Sequence, residues 1–238
     1  MSSGLLIAFG PMFSGKTTWL TLKLSTCADV GLKVCLVNHG DDVRLTESSD
    51  GNITTHSSQF KYLSPKITAM KLKSLRDESF DEYDVIGIDE GQFFDNKLPN
   101  GIPEIVHVVR ELILKKEKIV FISSLDGDFR AQPFGYVKEL ICLCDPDGVV
   151  KLSALCMECL KERKLVKAGF TNKIVTTMTD PDKVKDVGGA DKYQALCLDC
   201  FRTKNVVTTK KKEDEDLSSV LKKKYDEDLS STVAKLVL

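Results

Sequence analysis

The segment with the clearest chemical meaning is an eight-residue turn near the start of the chain. It follows the spacing G-x-x-x-x-G-K-[ST] and consists of Gly10, Pro11, Met12, Phe13, Ser14, Gly15, Lys16 and Thr17. A strand that feeds a glycine-rich turn and then a helix directs backbone N–H groups and the helix dipole at one phosphate. Lys16 would bridge the terminal phosphates, and the Thr17 hydroxyl would take a position on the Mg²⁺ that accompanies a nucleotide. The alternative is an ordinary strand–turn–helix corner, which the agreement of all eight positions disfavours.

Two adjacent carboxylates form the second chemical signal. Asp89 and Glu90 end the apolar segment 85–88, in the manner of a Walker B strand. A carboxylate at the end of such a strand orders Mg²⁺ through its water shell, and ligands gather outside these strand ends. Asp89 is therefore predicted on the metal side, whereas Glu90, which alternates to the other face of a strand, is predicted to have a different role. The alternative is a solvated acidic strand end, and the phosphate-binding turn upstream argues against it.

Eight cysteines are present, and four of them form two C-x₂-C pairs. The paired residues are Cys156, Cys159, Cys197 and Cys200. Four thiolates satisfy tetrahedral Zn²⁺ with no open position, which predicts a structural site; a redox pair and free thiols are the alternatives. Residues 160–196 exceed the usual spacing of about 15–20 residues, so the metal would close the base of a loop that covers a site. The remaining cysteines lie in apolar segments and are predicted to be core thiols: Cys27, Cys35, Cys142 and Cys144.

The elements that must position these groups are those of an α/β fold. Apolar segments predict strands at 5–9, 33–38, 84–88 and 118–123, and helical patterns span 17–30, 65–75 and 102–116. The first strand, helix and second strand form a βαβ unit. The expected fold is a P-loop NTPase-like parallel sheet flanked by helices, with a small zinc-binding lobe. The predicted domains are 1–150 for nucleotide binding, 151–204 for zinc and 205–238 for a charged, disordered tail with a near-repeat twelve residues apart.

Composition limits the classes of function. With 42% hydrophobic residues, 29% charged residues and a net charge of −1, the chain is typical of a soluble globular protein and needs no polyanionic partner. It has no apolar run of about 18 residues and no signal-peptide pattern, which predicts an intracellular, reducing location without a membrane partner. A nucleic-acid-associated P-loop ATPase is the competing function, but it would require a basic patch. The loop phenylalanines Phe129 and Phe134 are open to two interpretations, loop packing or stacking on a base.

Several motifs in one order resemble the type II, cytosolic-type thymidine kinases over residues 4–204. They are residues 10–17, 88–94, 125–130, 133–135 and 188–193, together with the two cysteine pairs. The resemblance implies transfer of the γ-phosphoryl of ATP to the 5′-hydroxyl of thymidine, giving dTMP for DNA synthesis by salvage. Glu90 is then the general base, Lys16, Thr17 and Asp89 hold the phosphates and Mg²⁺, and structural Zn²⁺ closes a lasso-type loop.

The resemblance also implies further site residues and partners. Asp42 and Arg44 correspond to a pair near the phosphates. The nucleoside would be bound by Gln92, Phe93, Leu125, Phe129, Phe134 and Tyr193. Feedback inhibition by thymidine triphosphate (dTTP), homotetramers and a cytoplasmic location are likewise implied, with no direct nucleic-acid partner.

Overall fold

The computed structural model describes residues 3–40, 46–47, 53–54, 64–174 and 188–205. Asp42, Arg44, the middle of the predicted lasso and most of the predicted tail lie outside these ranges. The chain divides into two compact units, residues 1–197 and 198–238, and the second is described only over a helical segment, 198–205. The predicted functional division at residues 150 and 204 stays a prediction.

The strands and helices follow one another closely along the chain. The strands are β1 (Gly4–Gly10), β2 (Val34–His39), β3 (Thr46–Glu47), β4 (Ile53–Thr54), β5 (Ile67–Leu72), β6 (Val85–Ile88), β7 (Ile119–Leu125), β8 (Val149–Lys151), β9 (Ala154–Leu155), β10 (Lys167–Ala168), β11 (Phe170–Lys173) and β12 (Tyr193–Leu196). The helices are α1 (Lys16–Asp29), α2 (Glu104–Leu114) and α3 (Met157–Lys161), with 3-10 helices at Gly91–Phe93 and Val137–Leu143.

A six-stranded parallel sheet is the centre of the first unit. Its order is β5-β2-β6-β7-β1-β8, and each neighbouring pair is parallel. Parallel strands need crossover connections, which α1 and α2 supply between β1 and β2 and between β6 and β7. The predicted α/β class is confirmed. Because all six strands run the same way, their carboxyl ends share one edge of the sheet, where the functional residues gather.

The core lies on both faces of this sheet. On one face α1 packs Leu20 and Leu24 against Leu36 and Phe121, and on the other α2 belongs to a larger cluster that includes Ile86. Odd and even positions of β1 and β2 divide between these two clusters, as expected when successive side chains of a strand point to opposite faces. Burial on both faces fixes the register of the strands, and therefore the positions of the residues that follow them.

Three details of the expected organisation need correction or refinement. The helix predicted over residues 65–75 is wrong, because residues 67–72 form β5, which pairs in parallel with β2 at the sheet edge. Ladder hydrogen bonds to β2 decide the structure of this short apolar segment, whose periodicity alone was ambiguous. The βαβ unit is present, but β6 and β7 separate its two strands. Cys142 is exposed on a 3-10 helix and is not a core thiol.

Short elements form the region of the cysteine pairs. Strands β9 and β10 make one two-stranded antiparallel sheet, and β11 and β12 make another. Helix α3 lies between β9 and β10 in the chain and contains Cys159. We call β9–β12, α3 and the four paired cysteines the cysteine lobe. Among the described residues, no helix combines the length and apolar character needed to cross a bilayer.

Candidate active site

The phosphate-binding turn begins as β1 ends and leads directly into α1. Gly15 adopts a left-handed backbone conformation, with φ of 82°, which favours glycine and lets the chain turn into the helix. The buried Lys16 ammonium donates a hydrogen bond to the Pro11 carbonyl oxygen at 2.8 Å. The Met12 N–H donates to the Thr171 hydroxyl at 3.0 Å, so β11 of the cysteine lobe contacts this turn. The turn thus has the strand–turn–helix context that its motif requires.

Asp89 follows β6 and lies among hydrogen-bond donors from three other elements. Its carboxylate accepts the Thr17 hydroxyl at 3.0 Å and the Asn38 side-chain amide at 3.4 Å. It also accepts the hydroxyl of Ser123, from β7. We call Lys16, Thr17, Asn38, Asp89 and Ser123 the phosphate edge. A carboxylate held in this way against the threonine of the phosphate-binding turn is suited to a hydrated divalent cation.

Glu90 has a different environment although it is the next residue. It is 5% exposed and left-handed, with φ of 51°, so simple strand alternation does not set its direction. Its carboxylate accepts the side-chain amide of Gln92. The Gln92 carbonyl oxygen in turn accepts the Leu125 N–H at 2.9 Å and the Ser124 hydroxyl at 3.1 Å. Glu90 is therefore oriented by a chain of hydrogen bonds that reaches β7.

Close packing against Gly135 also fixes the position of Gln92. A side chain at Gly135, whose φ is 65°, would place its Cβ only 2.6 Å from the Gln92 Cα. Only glycine allows the loop after β7 to approach the backbone so closely. Phe134 precedes this glycine, and its ring meets that of Phe93 edge-on, with centroids 5.8 Å apart. Two of the four aromatic residues predicted at the nucleoside, Phe93 and Phe134, thus lie beside the glutamate segment.

The ring of Phe129 contacts two cationic side chains. The Lys173 ammonium is 5.3 Å from its ring centroid, and the Arg130 guanidinium carbon is 5.1 Å from it. Lys173 pairs with Tyr193 across β11 and β12, and both are nearly buried. The cysteine lobe and the loop after β7 therefore meet at Phe129, which supports the interpretation that this ring contributes to a binding surface.

The four paired cysteines converge. Their sulfur atoms lie within 4.8 Å of one another, and the Cys159 and Cys197 sulfurs are 3.9 Å apart. Tetrahedral zinc with bonds of about 2.3 Å needs sulfurs about 3.8 Å apart, so the cluster could hold zinc. Burial by itself raises the pKa of the Cys156 thiol, but hydrogen bonds from Cys159 and Cys197 lower that pKa to about 6. A thiolate ligand is thus favoured at neutral pH.

Cys35, on β2, shows the opposite behaviour. Burial raises the pKa of its thiol to about 12, so Cys35 stays protonated and behaves as a core residue, as predicted.

Sequence reasoning missed four polar residues that contact the predicted ones. They are Asn38, Ser123, Ser124 and Thr171. Three of the four are at the carboxyl ends of β2 and β7, so a polar residue that ends a buried parallel strand was the available signal. Thr171 gave no comparable signal, because its contact with Met12 joins segments far apart in the chain.

Comparisons with known proteins agree with this geometry. A family model described as thymidine kinase matches residues 3–201. Thymidine kinase 1 of Dictyostelium discoideum is 34% identical over 198 residues, covering 83% of this chain and 77% of the relative. Human cytosolic thymidine kinase has the same identity and covers 83% and 73% of the two chains, respectively. The thymidine kinase of variola virus is 34% identical over 195 residues and covers 82% and 94%.

Proposed function

Because the chain belongs to the thymidine kinase family, we propose that Asp89 serves the phosphate donor while Glu90 activates the nucleoside acceptor. Phosphorylation of thymidine for nucleotide salvage is the activity of this family, with ATP as the implied donor. The observation that carries the proposal is the separation of partners: Asp89 contacts Thr17 of the phosphate-binding turn, and Glu90 contacts Gln92 beside Phe93.

The donor half is the phosphate edge. The turn of residues 10–17, through the backbone N–H groups that it has available, and the Lys16 ammonium would hold the ATP phosphates, with Asp42 and Arg44 assigned nearby by resemblance. Lys16 now donates to the Pro11 carbonyl and would exchange that bond for phosphate oxygens. The Thr17 hydroxyl and the Asp89 carboxylate offer the oxygen ligands that Mg²⁺ prefers. When bound, Mg²⁺ would reduce the negative charge on the terminal phosphates.

The acceptor half is organised around Glu90. Its carboxylate would take the proton of the thymidine 5′-hydroxyl as that oxygen forms a bond to the γ-phosphorus. The bond from the γ-phosphorus to the β,γ-bridging oxygen breaks, and ADP leaves. Gln92, held by Leu125 and Ser124, would keep the carboxylate in the orientation this step needs. The protein supplies mainly position and charge, which is what phosphoryl transfer requires.

The thymine would lie between the cysteine lobe and the aromatic residues. Phe93, Leu125, Phe129, Phe134 and Tyr193 are the side chains assigned to the nucleoside. The cation–π contact between Lys173 and Phe129 supports this assignment, because it joins β11 to the loop after β7. Zn²⁺ on the four cysteines would keep the short strands of the lobe in place and would take no part in the chemical step.

Assembly and regulation follow from the family resemblance. We assign the enzyme to the cytoplasm, as a homotetramer with feedback inhibition by dTTP. The relatives named cytosolic support the location. No membrane or nucleic-acid partner is expected.

One assay tests the function. Purified protein is incubated with ATP, Mg²⁺ and one nucleoside at a time: thymidine, deoxyuridine, deoxycytidine, deoxyadenosine or deoxyguanosine. Formation of dTMP at a rate well above that of the purine monophosphates is expected. ATP hydrolysis that is stimulated by single-stranded DNA, without any nucleoside monophosphate, would instead favour the nucleic-acid-associated ATPase and overturn the proposal.

A further inference from the structure

One buried polar atom has no role in the activity described so far. Asn38 is the last residue but one of β2 and is 1% exposed. Its side-chain carbonyl oxygen, Oδ1, is the single buried side-chain nitrogen or oxygen without a hydrogen-bond partner among the residues that the structure describes. Native proteins rarely bury an amide oxygen without a donor, because its hydration is lost without replacement. The site therefore calls for a hydrogen-bond donor from outside the described residues.

The orientation of this amide is set by Asp89. The Asn38 Nδ2 donates to the Asp89 Oδ2 at 3.4 Å. Rotating the amide by half a turn would place its carbonyl oxygen against the carboxylate, where two acceptors repel. The nitrogen is thus committed to Asp89, and Oδ1 is the atom left to accept a hydrogen bond.

The same carboxylate oxygen connects Asn38 to the phosphate-binding turn. Asp89 Oδ2 accepts the Thr17 hydroxyl at 3.0 Å as well as the Asn38 amide. Asn38 therefore lies beside the two residues proposed to hold the nucleotide cation. Mg²⁺ keeps several of its waters in protein sites, and a water bound through its oxygen has only hydrogens to offer. The Asn38 Oδ1, an acceptor without a donor, is suited to a hydrogen bond from such a water.

We propose that Asn38 is a positioning residue for the nucleotide-bound Mg²⁺. Its Nδ2 orients the Asp89 carboxylate, and its Oδ1 accepts a hydrogen bond from a water of the cation's shell. A neutral amide does this without adding charge beside the phosphates. The inference rests on the proposed cation site at Thr17 and Asp89, and it adds a third residue, from a different strand, to that site.

The test compares Asn38→Leu with Asn96→Leu. Asn96 is a matched control because its Nδ2 also donates to a carboxylate, that of Glu104 at 3.2 Å, among residues unrelated to the phosphate edge. Leucine has the same number and branching of side-chain heavy atoms as asparagine and removes both the donor and the acceptor. Asn38→Val, which suits a strand, replaces the leucine variant if that protein does not fold.

Two readouts separate a cation role from a structural one. In the first, thermal unfolding is followed with ADP alone and with ADP plus Mg²⁺. Wild type and Asn96→Leu should gain extra stability from Mg²⁺, whereas the Asn38 variant should keep the stabilisation by ADP and lose most of this extra gain. In the second, the Mg²⁺ concentration that gives half-maximal thymidine phosphorylation should rise roughly tenfold, with the KM for thymidine unchanged.

Two results would overturn the inference, and they differ. If the Asn38 variant is less stable but shows the wild-type gain from Mg²⁺ and the wild-type Mg²⁺ requirement, the amide is only structural. If wild type itself gains no stability from Mg²⁺ beyond that from ADP, the proposed cation site at Thr17 and Asp89 fails as well.

Discussion

The phosphate edge and the cysteine lobe, which we propose serve the two substrates, are stabilised in different ways. The phosphate edge stands at the ends of strands whose residues are buried between α1 and α2. The cysteine lobe has strands of two to four residues in two-stranded sheets, too small to be stable alone. We therefore expect folding of the main sheet to set the geometry of the proposed donor site, and the proposed acceptor cover to depend on the cysteine cluster, which could hold zinc. A substitution that damages one region should therefore leave the proposed function of the other region largely intact.

The largest effect is expected at Glu90, the proposed general base, which belongs to neither region. Glu90→Gln keeps the size and a hydrogen-bonding group but removes the proposed base. We expect kcat to fall roughly 10²–10⁴-fold, which is the usual contribution of general-base catalysis, while ADP binding by the phosphate edge is retained. Steady-state kinetics and calorimetric titration with ADP and Mg²⁺ measure the two quantities.

Glu104→Gln is the matched control for this substitution. Glu104 is another buried glutamate, 2% exposed, which accepts hydrogen bonds from Ser74 and Asn96 on the α2 side of the sheet. Its substitution should lower stability and leave kcat close to wild type. Near-normal turnover in Glu90→Gln would remove Glu90 from the chemical step.

An intermediate effect is expected from removing the zinc ligands. Cys156→Ser combined with Cys159→Ser should abolish stoichiometric zinc and raise the KM for thymidine about tenfold or more, because β11 and β12 would no longer be held in register. The affinity for ADP should change little, since the phosphate edge belongs to the main sheet. Metal analysis, thymidine kinetics and ADP titration test this selectivity.

Two other cysteines provide the control. Cys27→Ser with Cys142→Ser changes the same number of thiols outside the cluster, one partly buried and one exposed. Zinc content and the KM for thymidine should match those of wild type. Equal losses of thymidine and ADP binding in the Cys156 and Cys159 variant would show that the two regions are not independently stabilised.

The same contrast explains which features of the fold and of the candidate site could be predicted from the sequence. The glycine and lysine spacing of residues 10–17 and the carboxylates after residue 88 predicted the donor site because both are local patterns on strongly apolar strands. The cysteine pairs predicted a metal cluster for the same reason, as their spacing is short. The class of the fold followed from the order of apolar and amphipathic segments.

Other features depended on contacts between distant segments. β5 is a strand because β2 lies beside it, and no pattern within residues 67–72 reveals that neighbour. The direction of Glu90 depends on a left-handed backbone and on Gln92, where simple alternation was expected. Asn38 and Ser123 join the site only because parallel strands bring them to Asp89. These are consequences of tertiary packing, which short-range periodicity does not contain.

The smallest effect is expected at two adjacent serines of β7, of which Ser123 belongs to the phosphate edge and Ser124 contacts Gln92 on the Glu90 side. Ser124→Ala removes the hydroxyl that donates to Gln92 at 3.1 Å, whereas the Leu125 N–H still donates to the same oxygen at 2.9 Å. Because one of the two hydrogen bonds remains, we expect kcat to fall only about two- to tenfold, with an unchanged requirement for Mg²⁺. Steady-state kinetics at varied Mg²⁺ concentration measures both.

Ser123→Ala is the counterpart, because the Ser123 hydroxyl donates to Asp89, whereas the Ser124 hydroxyl donates to Gln92. This substitution should raise the Mg²⁺ concentration needed for half-maximal activity and have the smaller effect on kcat at saturating Mg²⁺. The two serines are consecutive residues of β7 and both are fully buried, so a general loss of stability would affect the two variants alike. If both substitutions change the same kinetic parameter by the same factor, Asp89 and Glu90 do not have the separate roles assigned to them.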